Sequence, residues 1–113
     1  MGLTALVRET LRMRPDRIVV GECRGAEIAE LLGALNTGHD GGAGTVHCAE
    51  ASGLGARLEA LGALAGLSPA ALRAQALAAI DVVVLLGRHE GVRRVVLIGR
   101  LVARDDGSLA VAP

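Results

Sequence analysis

An α/β fold, with a parallel sheet in the front half and antiparallel strands at the end, is predicted by three features of this chain. Helical periodicity and short β-branched runs alternate through the first half. The first such run, Arg17-Ile18-Val19-Val20, is apolar and ends in Gly21-Glu22, as a strand of a covered parallel sheet does. The last third carries two longer β-rich runs and an Asp-Gly turn. The 113 residues are 51% hydrophobic but contain no Phe, Tyr or Trp, so Leu, Val, Ile and Ala must fill the core, with 16 Gly allowing close packing. A small chain without aromatic burial is expected to lean on further structure for stability.

The predicted element order is α-β-α-β-α-α-β-β-β. Leu3, Leu6, Val7 and Leu11 share one helical face, and Pro15 stops that helix because the residue before a proline avoids helical dihedrals. After the first strand, Ala26 to Leu35 reads as a helix with Ile28, Leu31, Leu32 and Leu35 inward and Gly38 as its left-handed cap. His39 to Gly44 is a polar, Gly-rich loop, and Thr45-Val46-His47 a second strand. Ser52 is expected to cap a helix facing inward through Leu54, Leu58, Leu61 and Ala65. Ser68-Pro69 opens a further helix to about Ala79. Strands follow at Ile80 to Leu86 and Val92 to Val102, and Asp106-Gly107 turns the chain into Leu109 to Val111.

Composition narrows the function. Twelve basic and twelve acidic residues cancel, so no basic surplus points to specific nucleic-acid binding. All twelve basic residues are Arg. Cys23 and Cys48 lack a CxxC spacing and read as incidental cytosolic thiols. Arg8, Glu9, Arg12 and Arg14 interrupt any signal-peptide core, and the longest apolar run, Ile80 to Leu86, contains Asp81 and is too short for a transmembrane segment.

Two constellations carry chemistry. Glu22 sits at the C-terminal end of a buried strand, where open α/β sheets bind ligands. An acid there can hold Mg²⁺ or polarise a water in a P-loop nucleotidase. By itself a strand-end Glu reads more simply as a solvated turn residue. Downstream, Thr37-Gly38-His39-Asp40-Gly41-Gly42 and Thr45-Val46-His47 place two imidazoles in a Gly-rich loop and at a strand end, where they could donate to phosphate oxygens. Zinc binding by Cys23, His39, His47 and Cys48 is disfavoured by their spacing. A Cys48 nucleophile lacks an orienting partner. Gly21-Glu22-Cys23-Arg24-Gly25 lacks the G-x-G core of a dinucleotide fingerprint. Arg93-Arg94 reads as a solvated strand face and Asp105-Asp106 as a turn pair.

The stretch from Leu11 through Pro15-Asp16-Arg17-Ile18-Val19-Val20-Gly21-Glu22-Cys23-Arg24-Gly25-Ala26-Glu27 resembles the Walker B region of the type II/type IV secretion ATPase superfamily. Leu35-Asn36-Thr37-Gly38-His39-Asp40-Gly41 through Thr45-Val46-His47 resembles its histidine box, and the closest branch is that of tight-adherence pilus and conjugal-transfer-associated ATPases. The resemblance implies a partial RecA-like P-loop core that binds ATP and Mg²⁺ and assembles as a homo-oligomeric, hexameric ring. It implies a cytoplasmic motor, peripheral to the inner face of the cytoplasmic membrane, with secretion or pilus platform proteins as partners. It makes Glu22 the Walker B acid, toward Mg²⁺ or water, and His47 the residue near the γ-phosphate. It puts His39, Gly21 and Arg24 beside the nucleotide or just behind it, with Arg24 stabilising either the site or a subunit contact. The chain departs from the family in lacking any Lys, so the P-loop pattern GxxxxGK followed by Ser or Thr is absent from it. Residues 1–113 are therefore expected to be the C-terminal part of a secretion-ATPase domain, inactive alone, with Walker A and an N-terminal domain missing. The other reading is a non-catalytic remnant acting as an assembly module.

Overall fold

The computed structural model describes residues 2–39 and 41–113. Helix α1 (Leu3–Leu11) buries Val7, and its end follows from Pro15: Arg14 takes a left-handed φ of 52°, leaving the helical region that proline disfavours. The chain then forms β1 (Val19–Val20), which pairs in parallel with β2 (Ala43–Gly44), Val19 opposite Ala43 and Val20 opposite Gly44. The ladder continues on both sides, Ala43 donating to the Ile18 carbonyl at 3.0 Å and Cys23 to that of Thr45 at 2.8 Å. The second strand therefore lies two residues earlier than the β-branched Thr45-Val46-His47 run suggests. Close approach decides this: a Cβ on Gly42 would fall 2.4 Å from the Ile18 oxygen, and one on Gly44 2.7 Å from Leu31. The strand is buried on one side only, with Val20 inside and Val19 73% exposed.

Between the two strands runs α2 (Glu27–Asn36), which buries Ile28, Leu31 and Leu32 as its periodicity requires. Gly38, at φ 107°, closes it, and the His39 N–H returns to the Ala34 carbonyl. A short 3₁₀ turn (Ala51–Gly53) leads into α3 (Leu54–Leu64). Ser52 does not cap this helix; its hydroxyl donates to Glu50, because the 3₁₀ turn places Gly53 at the cap. The cap of α4 (Pro69–Ala79) does form, with Ser68 Oγ accepting from the Ala71 N–H at 3.1 Å. Helices α3 and α4 pack tightly where Gly62 faces Leu72, and an Arg73–Glu59 ion pair at 2.8 Å crosses beside them. Arg8 of α1 pairs with Glu30 of α2 at 2.7 Å.

The tail is an antiparallel sheet in the order β3 (Val83–His89), β4 (Val92–Ala103), β5 (Leu109–Ala112). Strand β3 starts at Val83, three residues later than the apolar run, because Val83 is the first residue opposite β4, facing Gly99. Glu90 and Gly91, both at positive φ, make the β3–β4 turn, and Gly107, also at positive φ, helps make the second. There the Asp106 carboxylate accepts from the Ser108 N–H and hydroxyl. The core joins both halves: Ile18, Val20, Cys23, Leu31, Leu32, Leu58, Leu61, Leu72, Leu101 and Leu109 form one buried cluster. The molecule is thus α/β, with a parallel pair and antiparallel C-terminal strands.

Candidate functional site

The site begins with an alternation. Along the chain leaving β1, Val20 and Cys23 are buried (5% and 1% exposed) while Gly21 and Arg24 face solvent. The Cys23 N–H bond to Thr45 ties this segment to the one leaving β2. Both chain ends then run side by side beyond the strands, and their polar residues meet. The Glu22 carboxylate lies between two cationic or proton-donating groups. Its Oε2 is 2.6 Å from an Arg24 guanidinium nitrogen, and its Oε1 is 3.1 Å from His47 Nε2. The Glu22 side chain is 28% exposed, those of Arg24 and His47 77% and 76%. The Arg24 hydrogen bond holds the Glu22 carboxyl below its ordinary range, against partial desolvation, and the charges of Arg24, His47 and Arg57 act in the same direction.

Arg57, on α3, brings a further helix to this neighbourhood. It lines an open cleft of about 490 Å³ together with Cys48, Glu50, Ser52 and Ala56. Cys48 directly follows His47, so the cleft adjoins the triad of Glu22, Arg24 and His47.

Glu27 is the residue that sequence reasoning missed. It is 6% exposed, and one oxygen accepts from the backbone N–H groups of Arg24 (2.6 Å) and Gly25 (3.0 Å). Burial pushes its carboxyl up, but hydrogen bonds from the N–H groups of Arg24, Glu27 and Gly25 outweigh that and hold it below its ordinary range. The signal was present: an acid in the first turn of a helix, just after a glycine-containing loop, sits where unpaired amides need an acceptor. Glu27 thereby fixes the backbone from which Arg24 projects.

Two predicted residues stand apart from the triad. His39 supplies a backbone hydrogen bond to α2, and its buried Nδ1 has no hydrogen-bond partner among the described residues. No ion pair or hydrogen bond among those residues links it to Glu22 or His47. Gly21 lines a small groove of about 160 Å³ against Leu3, Leu6 and Val7 of α1. Asp40, within the Gly-rich motif, lies outside the described residues.

The donor set suits a phosphate better than a resident metal. Among the described residues no three His, Cys, Asp or Glu side chains are grouped to hold an ion. Glu22 alone offers one carboxylate, which fits Mg²⁺ held jointly by water and phosphate oxygens. Arg24, His47 and Arg57 add donors or positive charge around it.

Comparison with known proteins places the chain among relatives. Residues 1–89 match the family model described as Type II/IV secretion system protein. A Mycobacterium tuberculosis protein named "Putative conjugal transfer protein" is 61% identical over 89 residues, covering 79% of this chain and 25% of that protein. The conjugal transfer protein TrbB of Rhizobium radiobacter is 41% identical over 95 residues, 84% of this chain and 29% of its own. The type IV secretion system protein PtlH of Bordetella pertussis is 38% identical over 98 residues, 80% and 28% respectively. The chain thus spans between a quarter and a third of these curated relatives.

Proposed function

Because this chain belongs to the type II/IV secretion system protein family, we propose that it forms part of an ATP-driven motor for pilus assembly, secretion or conjugal transfer. The observation that supports this most is the Glu22 carboxylate flanked by Arg24 and His47 at the strand end, beside an Arg57-lined cleft. Glu22 would help hold Mg²⁺ or orient the water that attacks the terminal phosphate. His47 donates toward that phosphate and Arg24 acts at or just behind the nucleotide, whereas His39 and Gly21, which stand apart from the triad, are given no contact with it. Bound Mg²⁺ supplies charge neutralisation on the phosphate oxygens. The subunits assemble as a hexameric ring at the inner face of the cytoplasmic membrane and work against platform proteins. No described helix is long and apolar enough to cross a membrane.

The 113 residues contain no Lys, so the P-loop cradle of phosphate binding is not among them. Phosphoryl transfer depends on that electrostatic cradle. The purified chain is therefore expected to show no ATP turnover above a protein-free control. In a longer subunit carrying this segment and a P-loop, Glu22→Gln abolishes hydrolysis and leaves nucleotide binding near the parent level; His47→Ala lowers turnover less. Unchanged turnover in Glu22→Gln would make Glu22 a structural strand-end residue. The second reading, a non-catalytic assembly module, makes the opposite prediction. In that case Glu22→Gln leaves the complexes the chain enters, and their activity, unaltered.

A further inference from the structure

Arg24 is built unlike an ordinary surface arginine. Its backbone is pinned, with the N–H held by the buried Glu27 carboxylate at 2.6 Å. Its side chain is 77% exposed, yet the guanidinium lies 2.6 Å from Glu22 Oε2. With His47 on Oε1, both Glu22 oxygens are engaged. A carboxylate held this way is a poorer ligand for a metal-bound water and a poorer acceptor of a proton than a free one. The Arg24 contact is also easy to exchange. Exposed ion pairs contribute little net stability. A guanidinium matches phosphate oxygens as well as it matches a carboxylate, and a polyphosphate carries more charge.

We infer that Arg24 is an exchangeable positioning residue, whose guanidinium occupies Glu22 Oε2 until the phosphate chain of a polyphosphate anion takes it over and releases that oxygen. The inference rests on the phosphate-site reading above and adds to it a nucleotide-responsive state of Glu22. The fixed backbone matters, because the side chain can swing between two anions while its Cα stays in place. Arg57 adds positive charge nearby, in a cleft that Glu50 also lines, and His47 offers a ring nitrogen beside the same carboxylate.

The test uses the 113-residue chain and NMR signals of the Glu22 side-chain carboxyl carbon, the Arg24 Nε–H and the His47 ring. Tripolyphosphate is the probe, with sodium chloride at matched ionic strength as the control for screening. Saturating tripolyphosphate is expected to move the Glu22 carboxyl signal most of the way to its position in Arg24→Gln, and to shift Arg24 and His47. In Arg24→Gln the Glu22 signal is expected to stay put on addition of tripolyphosphate. Arg24→Lys keeps the response at several-fold higher probe concentration, a rescue that mere surface packing does not produce. ATP run in parallel separates the sources: a response at lower concentration than tripolyphosphate assigns the site to a nucleotide, and an equal one to a phosphate chain alone. Either supports exchange. If the anion shifts His47 and Arg24 while the Glu22 signal stays unmoved, the exchange is refuted and the phosphate site stands. If no signal moves beyond the chloride control, the exchange is refuted as well, and the phosphate-site reading is then judged by Glu22→Gln in the longer, P-loop-bearing subunit.

Discussion

Glu27 shows how one side chain can organise a site without taking part in it. Its carboxyl accepts two backbone N–H groups from 6% exposure, so it is ionised when the loop is formed. Its folded pKa lies below the ordinary 4.5, so its contribution is complete above that value and fades as pH falls through the lower folded value. Hydrogen-exchange protection of the Arg24 and Gly25 amides is therefore expected to persist at pH 5 and to drop on acidification below pH 4.5, ahead of the α4 amides. Glu27→Gln should remove the pH dependence, with weaker protection than the parent at pH 5 and above and a difference that vanishes at acid pH, where Glu27 is itself neutral. Cys23 gives a second expectation at this scale. Burial, and to a lesser degree the Glu27 charge, raises its thiol to about 11. At pH 8 a thiol reagent should modify Cys48 and spare Cys23 until the chain is denatured, giving one fast equivalent and one slow. Equal rates at both would mean that the β1 exit segment opens readily.

At the scale of elements, glycines decide where helices and strands touch. A Cβ on Gly62 would lie 2.9 Å from Leu72, which is fully buried between α3 and α4. Gly62→Ala is a helix-favouring change by propensity, yet overpacking of this contact is expected to destabilise the fold by about 1–3 kcal/mol, read as a lower denaturant midpoint. A gain in stability would show that the helices separate without cost. The same logic explains which element boundaries were legible. Helix α4 was readable because Ser68-Pro69 is a local capping signal realised by one hydrogen bond. Strand β2 was misplaced because its pairing rests on glycine clearance against Ile18 and Leu31, residues distant in sequence. Ser52 looked like a cap by type, but a 3₁₀ turn put it one residue too early.

For the molecule as a whole, polarity is distributed unevenly. Val84, Leu86 and Ile98 each lie more than half exposed on the β3–β4 sheet, with the equally exposed Val82 just before β3, and Val84 faces Ile98 directly across the strands. Contiguous aliphatic surface of this kind lowers solubility. Replacing Leu86 and Ile98 by Thr, which keeps β propensity, is expected to raise the concentration at which the chain stays monodisperse, with little change in unfolding midpoint. A loss of stability comparable to a core truncation would instead make this face part of the fold's packing.

The amino-acid sequence alone determined the element order, the helix faces and the presence of a strand-end acid upstream of a histidine-bearing segment, because periodicity, caps and motif residues act over a few neighbours. Only the tertiary structure decided that residues 22 and 47, twenty-five positions apart, lie at hydrogen-bond distance, that Arg24 closes the second carboxylate oxygen, and that Glu27 pins the loop between them. Those outcomes depend on strand register and on burial. Both are set by how distant apolar and glycine residues pack, which no local pattern encodes.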